Sequence, residues 1–410
     1  MSPAPDSAPK DLPPPILVED EEAFEDLLDA LEDEDEIAVD TEADSFFNYR
    51  EKVCLIQVSA GGEDWLLDPL ADFDLKPFGE VLADPERIKV FHDGEYDVLI
   101  LKRDYGFEFA SLFDTRVAAA ALGSPNPGLA SVLEANFGVR LDKSMQRSDW
   151  SRRPLSPKQV AYARLDTRFL IELMHAQLPE LEDRRLLEVV EGECDRVAAL
   201  ESAEKNFDPD EFARVKGARH LDPAGRRALR ELFIWRDEQA RRRDLPPFKV
   251  LSNSALTGLA EERPKNMRGL SQIEGLGPRL VRSHGDKLLD VLQQARELEP
   301  IDRLPRLASR DGTGELDEVA LEFHERLKSW RKARSQEEGF DASLVLNRHV
   351  LLALAAEPPR DYEELEDTPG IQGWQLDRYA DSLLDLAEDF LEDVRAGRVP
   401  EKNQRRGRRR

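Results

Sequence analysis

The sequence predicts an α/β unit built on a mixed sheet, followed by two all-helical domains of one kind. Three observations carry this reading. Short apolar strands crowd the first hundred residues, helical spacing dominates from Thr115 to Leu200, and the second half of the chain repeats itself at an offset of 95 residues. At 410 residues the chain is also too long for one hydrophobic core.

Taken in order, Met1 to Pro15 is rich in Pro, Ala and Ser and reads as a disordered tail. Phe24, Leu27, Leu28 and Leu31 then recur at helical spacing. Ile37 to Glu42, Val53 to Val58 and Trp65 to Asp68 read as strands, with Gly61-Gly62 as the hairpin turn between the last two. Ile88 to His92 is a fourth strand and leads into an apolar helix through Val98, Leu99 and Leu101. Val160 to Met174 is a helical stretch. Three antiparallel-type strands followed by alternating helix and strand make a mixed sheet. Beyond breaks at Asp208-Pro209 and Asp222-Pro223, Trp235-Arg236 matches Trp330-Arg331, and Val250-Leu251 matches Val345-Leu346. Leu256, Leu259, Ala260, Glu262 and Pro264 match Leu351, Leu354, Ala355, Glu357 and Pro359 in the same register. A register held across so many positions marks a duplicated helical domain of about 80 residues.

The formal charge of −27, from 85 acids and 58 bases, argues at first against a polyanion partner. Its distribution weakens that argument. Residues 1–100 carry −23, residues 101–300 only +1, and the last ten residues +5. The first helical copy (residues 218–297) is net +5, while the second (residues 315–395) is −12, so the first is the better candidate to touch nucleic acid. The run Glu32 to Glu36 and the cluster Arg241-Arg242-Arg243 read as solvated helix ends, with RNA-backbone contact an alternative for the arginines. Two cysteines without metal spacing indicate neither a disulfide framework nor a zinc site. No apolar run of membrane-spanning length occurs, and the expected location is the cytoplasm.

Asp40 and Glu42 stand two apart in a strand, so both leave the same face at the end of an apolar element. A divalent cation would compensate such a pair, and exposed strand-end acids are the equally open alternative. Tyr162 and Asp166, four apart, share one helix face. Asp97 precedes an apolar helix and fits a metal ligand or an N-terminal cap. Asp114 reads as the cap of the helix after it.

Together these elements resemble the DEDD superfamily of 3′–5′ exonucleases in its Tyr-containing branch. Leu141-Asp142-Lys143-Ser144, Arg147-Ser148-Asp149-Trp150, Arg153-Pro154-Leu155, Gln159, Tyr162-Ala163 and Asp166 are similar to the bacterial ribonuclease D family in particular. The resemblance spans about residues 20–395. It implies a ribonuclease H-like mixed-sheet exonuclease domain at residues 16–205. Two HRDC-type helical domains follow at residues 215–298 and 312–396, with a basic tail at residues 397–410. It implies that Asp40, Glu42, Asp97 and Asp166 bind two divalent ions, Mg²⁺ or Mn²⁺, ~3.5–4 Å apart, and that Tyr162 orients the attacking water.

The expected partner is RNA with a free 3′ end, tRNA precursors above all, and the expected state is a monomer. A DNA exonuclease of the same superfamily and a non-catalytic RNA-binding scaffold are the alternatives. Candidate substrate contacts are Gln57, beside Asp40, with core polar pairing as the preferred reading; His92, with packing as the preferred reading; and Arg147 and Arg153, ahead of the catalytic helix. For Arg153 and Trp150, fixing the loop is an equal alternative. Deleting residues 301–410 is expected to alter substrate choice more than activity on a short oligonucleotide.

Overall fold

The computed structural model describes residues 12–202, 206–305, 307 and 316–399. The expected N-terminal tail lies largely, and the basic C-terminal tail almost wholly, outside the described residues. The chain divides into two compact units. One comprises residues 1–43, 53–203 and 309–410, and the other residues 44–52 and 204–308.

The first unit opens with β1 (Ile16–Val18), α1 (Glu21–Glu32), β2 (Glu36–Ala43), β3 (Val53–Ala60), β4 (Glu63–Leu67), α2 (Lys76–Ala83) and β5 (Ile88–Phe91). There follow α3 (Glu95–Tyr105), β6 (Leu112–Asp114), α4 (Thr115–Ala121), α5 (Leu129–Phe137), α6 (Pro157–Thr167), α7 (Leu170–Asp183) and α8 (Leu187–Ala199). The sheet runs β1-β4-β3-β2-β5-β6: β4, β3 and β2 are antiparallel, while β1 pairs β4, and β5 pairs β2 and β6, in parallel. This is the mixed sheet that the pattern of strands and helices predicts.

The sequence reading left out β1 and β6. Each has only three residues, too few to show an alternation. The run Glu32 to Glu36 closes α1 and turns into β2, so its last member is strand. The stretch Val160 to Met174, read as one helical run, is two helices that break at Arg168 and Phe169. Its apolar spacing carries through the break, which hides it from a periodicity argument.

The sheet is packed on both faces. Val39 and Ile56 on one face share a core with Val98, Ile100 and Leu101 of α3. Leu55 and Leu66 on the other share a core with Ala163 of α6 and with Trp150.

The two helical copies keep the 95-residue offset element by element. The first has α9 (Pro223–Arg243), α10 (Pro247–Val250), α11 (Asn253–Glu262), α12 (Met267–Leu270) and α13 (Pro278–Glu297). The second has α14 (Glu318–Glu338), α15 (Ala342–Val345), α16 (Arg348–Ala356), α17 (Tyr362–Glu366) and α18 (Gly373–Arg395). Their settings differ. The first copy forms its own core and includes the β2–β3 connection, Asp44–Lys52, where the Tyr49 hydroxyl donates to Asp237 at 2.7 Å.

The second copy is continuous with the sheet domain. Val189, Val190 and Cys194 of α8 lie in one apolar cluster with Leu344, Trp374 and Tyr379. A Cβ at Gly192 would stand 2.8 Å from the Trp374 indole nitrogen, so α8 and α18 approach at a distance only glycine allows. Arg378 pairs with Glu188 at 2.8 Å, and the Asp341 N–H donates to the Ala120 carbonyl at 3.3 Å.

This corrects the expectation for a C-terminal deletion. Removing residues 316–410 should strip an apolar cover from α8, lower the thermal midpoint of the remainder by several degrees, and reduce activity on a short oligonucleotide as well as on structured RNA. Thermal unfolding and short-oligonucleotide hydrolysis check this. Unchanged values for both would contradict it.

Candidate active site

Asp40 and Glu42 end β2 on one face, and β2 bulges between Glu42 and Ala43, where the register with β3 shifts. Both are half-buried. The intervening Thr41 faces the other way, and its hydroxyl donates to the Asp97 carboxylate. Asp97 is the third residue of α3 and is buried. The reading of Asp97 as an N-cap is corrected: Gly94 occupies that position, with no side-chain cap. The turn before α3 is held instead by Asp114, whose carboxylate accepts from the Asp93 N–H at 3.1 Å and the Gly94 N–H at 2.8 Å. Asp114 also caps α4 through Arg116 and Val117, as expected.

Tyr162 and Asp166 lie on α6, one helical turn apart, and each bears on the other's pKa. Two sets of contacts fix α6 on the sheet. At its C-terminal end, Arg164 pairs with Asp64 of β4 in a nearly dry setting, with side chains 10% and 3% exposed. The Ser59 hydroxyl links Asp64 at 2.8 Å to Thr167 at 2.7 Å. At its N-terminal end, Ser156 and Gln159 form a capping box, and the Gln159 amide donates to the Asp149 carbonyl at 3.1 Å.

Arg153 fastens the preceding loop. Its guanidinium grips both oxygens of Asp68 and donates to the Cys54 carbonyl at 2.6 Å and the Trp150 carbonyl at 2.8 Å. Arg153 is therefore corrected from substrate contact to structural clasp: its donors are spent on protein acceptors.

His92 is corrected likewise. Its Nδ1 lies 2.9 Å from the Thr115 hydroxyl, its Nε2 is buried, and burial lowers its pKa to about 4, so at neutral pH it has no positive charge to offer a phosphate. Gln57 is fully buried and is the cross-strand partner of Asp40. Arg147 is exposed in the loop between α5 and α6. Thr41, Asp64 and Arg164 support the site but were missed from sequence. Thr41 lies between the two strand acids, the one available signal, while Asp64 and Arg164 are 100 positions apart.

The carboxylates act on one another. Burial raises the pKa of Asp40 well above the ordinary value, and the charges of Asp97, Asp166 and Glu42 raise it further. Burial and then Asp166 and Asp97 push Glu42 up to about 9. Burial and Asp97 push Asp166 to about 8, and burial pushes Asp97 to about 6 against the Thr41 hydrogen bond. Among the described residues no three such side chains are drawn tightly enough to enclose an ion. The donor set is nonetheless all carboxylate oxygen, which suits a hard divalent cation. The four form a cluster of mutually repelling acids.

A family model described as a 3′–5′ exonuclease matches residues 15–182, and one described as the HRDC domain matches residues 226–292 and 320–386. The chain is 34% identical to ribonuclease D of Pseudomonas paraeruginosa over 358 residues, covering 86% of this chain and 92% of that one. The chain belongs to the ribonuclease D family. It is also 31% identical to the family member from Sphingobium indicum over 360 residues, covering 87% and 90%. Among solved structures it is similar to Escherichia coli RNase D, described as an exoribonuclease involved in structured RNA processing. That match has a TM-score of 0.63 and 27% identity, and covers 92% of this chain and 99% of the other. The chain is thus a 3′–5′ exoribonuclease of this family, a family that generally depends on divalent metal. Among the described residues no helix is long and apolar enough to cross a membrane.

If the Asp64–Arg164 pair anchors α6, Asp64→Ala should strand a buried guanidinium and cost about 3–5 kcal/mol in urea unfolding. Adding Arg164→Leu should recover part of the loss. An Asp64→Ala cost within ordinary surface values would contradict the anchor.

Proposed function

We propose that Asp40, Glu42, Asp97 and Asp166 hold two divalent ions, Mg²⁺ or Mn²⁺, that Tyr162 orients the attacking water, and that the enzyme trims tRNA precursors and other structured RNA as a cytoplasmic monomer. One observation carries the site assignment. Four acids from three separate segments stand close enough that the charges acting most strongly on Asp40 are those of the other three. When bound, the ions supply a lowered water pKa and neutralise charge on the phosphoryl oxygens.

The chain's own residues do the rest. Burial and the charges of Asp166, Glu42 and Asp40 raise the Tyr162 pKa far above the ordinary phenol value. Tyr162 therefore stays protonated at working pH and acts through a hydrogen bond, leaving it unsuited to serve as the general base. The ring packs 6.0 Å from Trp150, which keeps the phenol from swinging away.

Support for structured RNA comes from the similar Escherichia coli enzyme, and the net positive first helical copy is the better RNA-facing surface. Its Arg241-Arg242-Arg243 closes α9, where cations also suit the helix dipole.

Asp40→Asn and Asp166→Asn should abolish 3′-end hydrolysis while circular dichroism and RNA binding persist. Tyr162→Phe should be slower by roughly 10²-fold, the scale of a misplaced reactant, with the pH profile unchanged. Single-turnover trimming of a 5′-labelled RNA checks all three. Full activity in either Asp variant would overturn the assignment.

A further inference from the structure

Gln57 is a buried member of the candidate set whose side chain the fold leaves without a partner among the described residues. It lies in the interior of β3 and is 0% exposed, yet neither its Oε1 nor its Nε2 meets a hydrogen-bond partner among the described residues. Buried amides are almost always satisfied, and a similarly shaped apolar side chain would avoid the cost.

Its neighbours narrow the explanation. On the same sheet face, Ser59 spends its hydroxyl on Asp64 and Thr167. Leu55, two residues back, and Leu66, opposite on β4, are apolar. The remaining cross-strand partner is Asp40, directly opposite on β2. Opposed side chains on antiparallel strands have Cβ atoms about 4.5–5.5 Å apart, within reach of an amide to a carboxylate without backbone movement.

We propose that Gln57 is a positioning residue of the hydrolytic centre: its side-chain N–H donates to the Asp40 carboxylate and so fixes how that carboxylate is presented to a divalent cation. This rests on the preceding assignment of Asp40 as a ligand. Outer hydrogen bonds of this kind commonly orient metal ligands.

The test uses the full chain with Gln57→Leu and Gln57→Met, so that a packing fault peculiar to one variant is visible in the other. Mn²⁺ affinity is read from the electron paramagnetic resonance signal of the free ion, and thermal unfolding is followed in chelator. The expected result is a metal-free midpoint equal to or above that of the unsubstituted chain, with Mn²⁺ binding weaker by about tenfold or more. Unchanged Mn²⁺ affinity would overturn the proposal. So would a lowered metal-free midpoint in both variants, because the amide would then serve the core. Asp40→Asn separates the two layers. If it loses Mn²⁺ while the Gln57 variants keep it, only the role of Gln57 fails; if it binds Mn²⁺ normally, the ligand assignment fails and takes this proposal with it.

Discussion

Four carboxylates brought together in a largely buried pocket repel one another, and the catalytic unit is organised around holding them there. Each comes from a segment with its own fastening. Asp40 and Glu42 are fixed by the pairing of β2 with β3. Asp97 is fixed by the turn that Asp114 ties down and by the hydroxyl of Thr41. Asp166 is fixed by α6, which is pinned through Arg164 to Asp64 and through its capping box to the loop clasped by Arg153. Arg153 and Arg164 sit on these fastenings, paired with Asp68 and Asp64. Such an arrangement lets the segments be held rigidly against the repulsion of the acids.

The duplicated helical domain illustrates how one sequence pattern serves two ends. Both copies keep the same five helices at the same spacing. The second is acidic and shares its apolar cluster with α8, so its inner face completes a core. The first copy is basic and closes a core of its own with the β2–β3 connection. Divergence in charge therefore parallels divergence in packing.

Much of this was legible in sequence where a local rule applies. Paired acids two apart on a strand, the Tyr–Asp pair four apart on a helix, the Gly61-Gly62 hairpin and the Asp114 cap each depend on near neighbours, and each is found in the structure. What escaped depends on distant partners. Arg153 and His92 have the chemistry of phosphate contacts, and only the fold reveals that Asp68 and Thr115 occupy them. The docking of the second helical copy was illegible for the same reason: Gly192 and Trp374 reveal nothing of one another in the sequence. The three-residue strands β1 and β6 are too short for any periodicity to register.

If the four acids are the proposed ligands, the protons that burial and mutual repulsion hold on them leave when a divalent cation binds. Carboxylates titrate near ~4 in an unfolded chain, whereas Glu42 and Asp166 are raised to about 9 and 8 in the fold. The folded, metal-free chain thus binds more protons than the unfolded chain across neutral pH, and its stability declines as pH rises through that window. Cation binding must expel those protons. Calorimetric titration with Mg²⁺ at pH 7, in two buffers of different ionisation enthalpy, counts them directly. The account predicts release of about one proton or more per site, diminishing as the pH approaches 9. Binding with no proton release at pH 7 would contradict it.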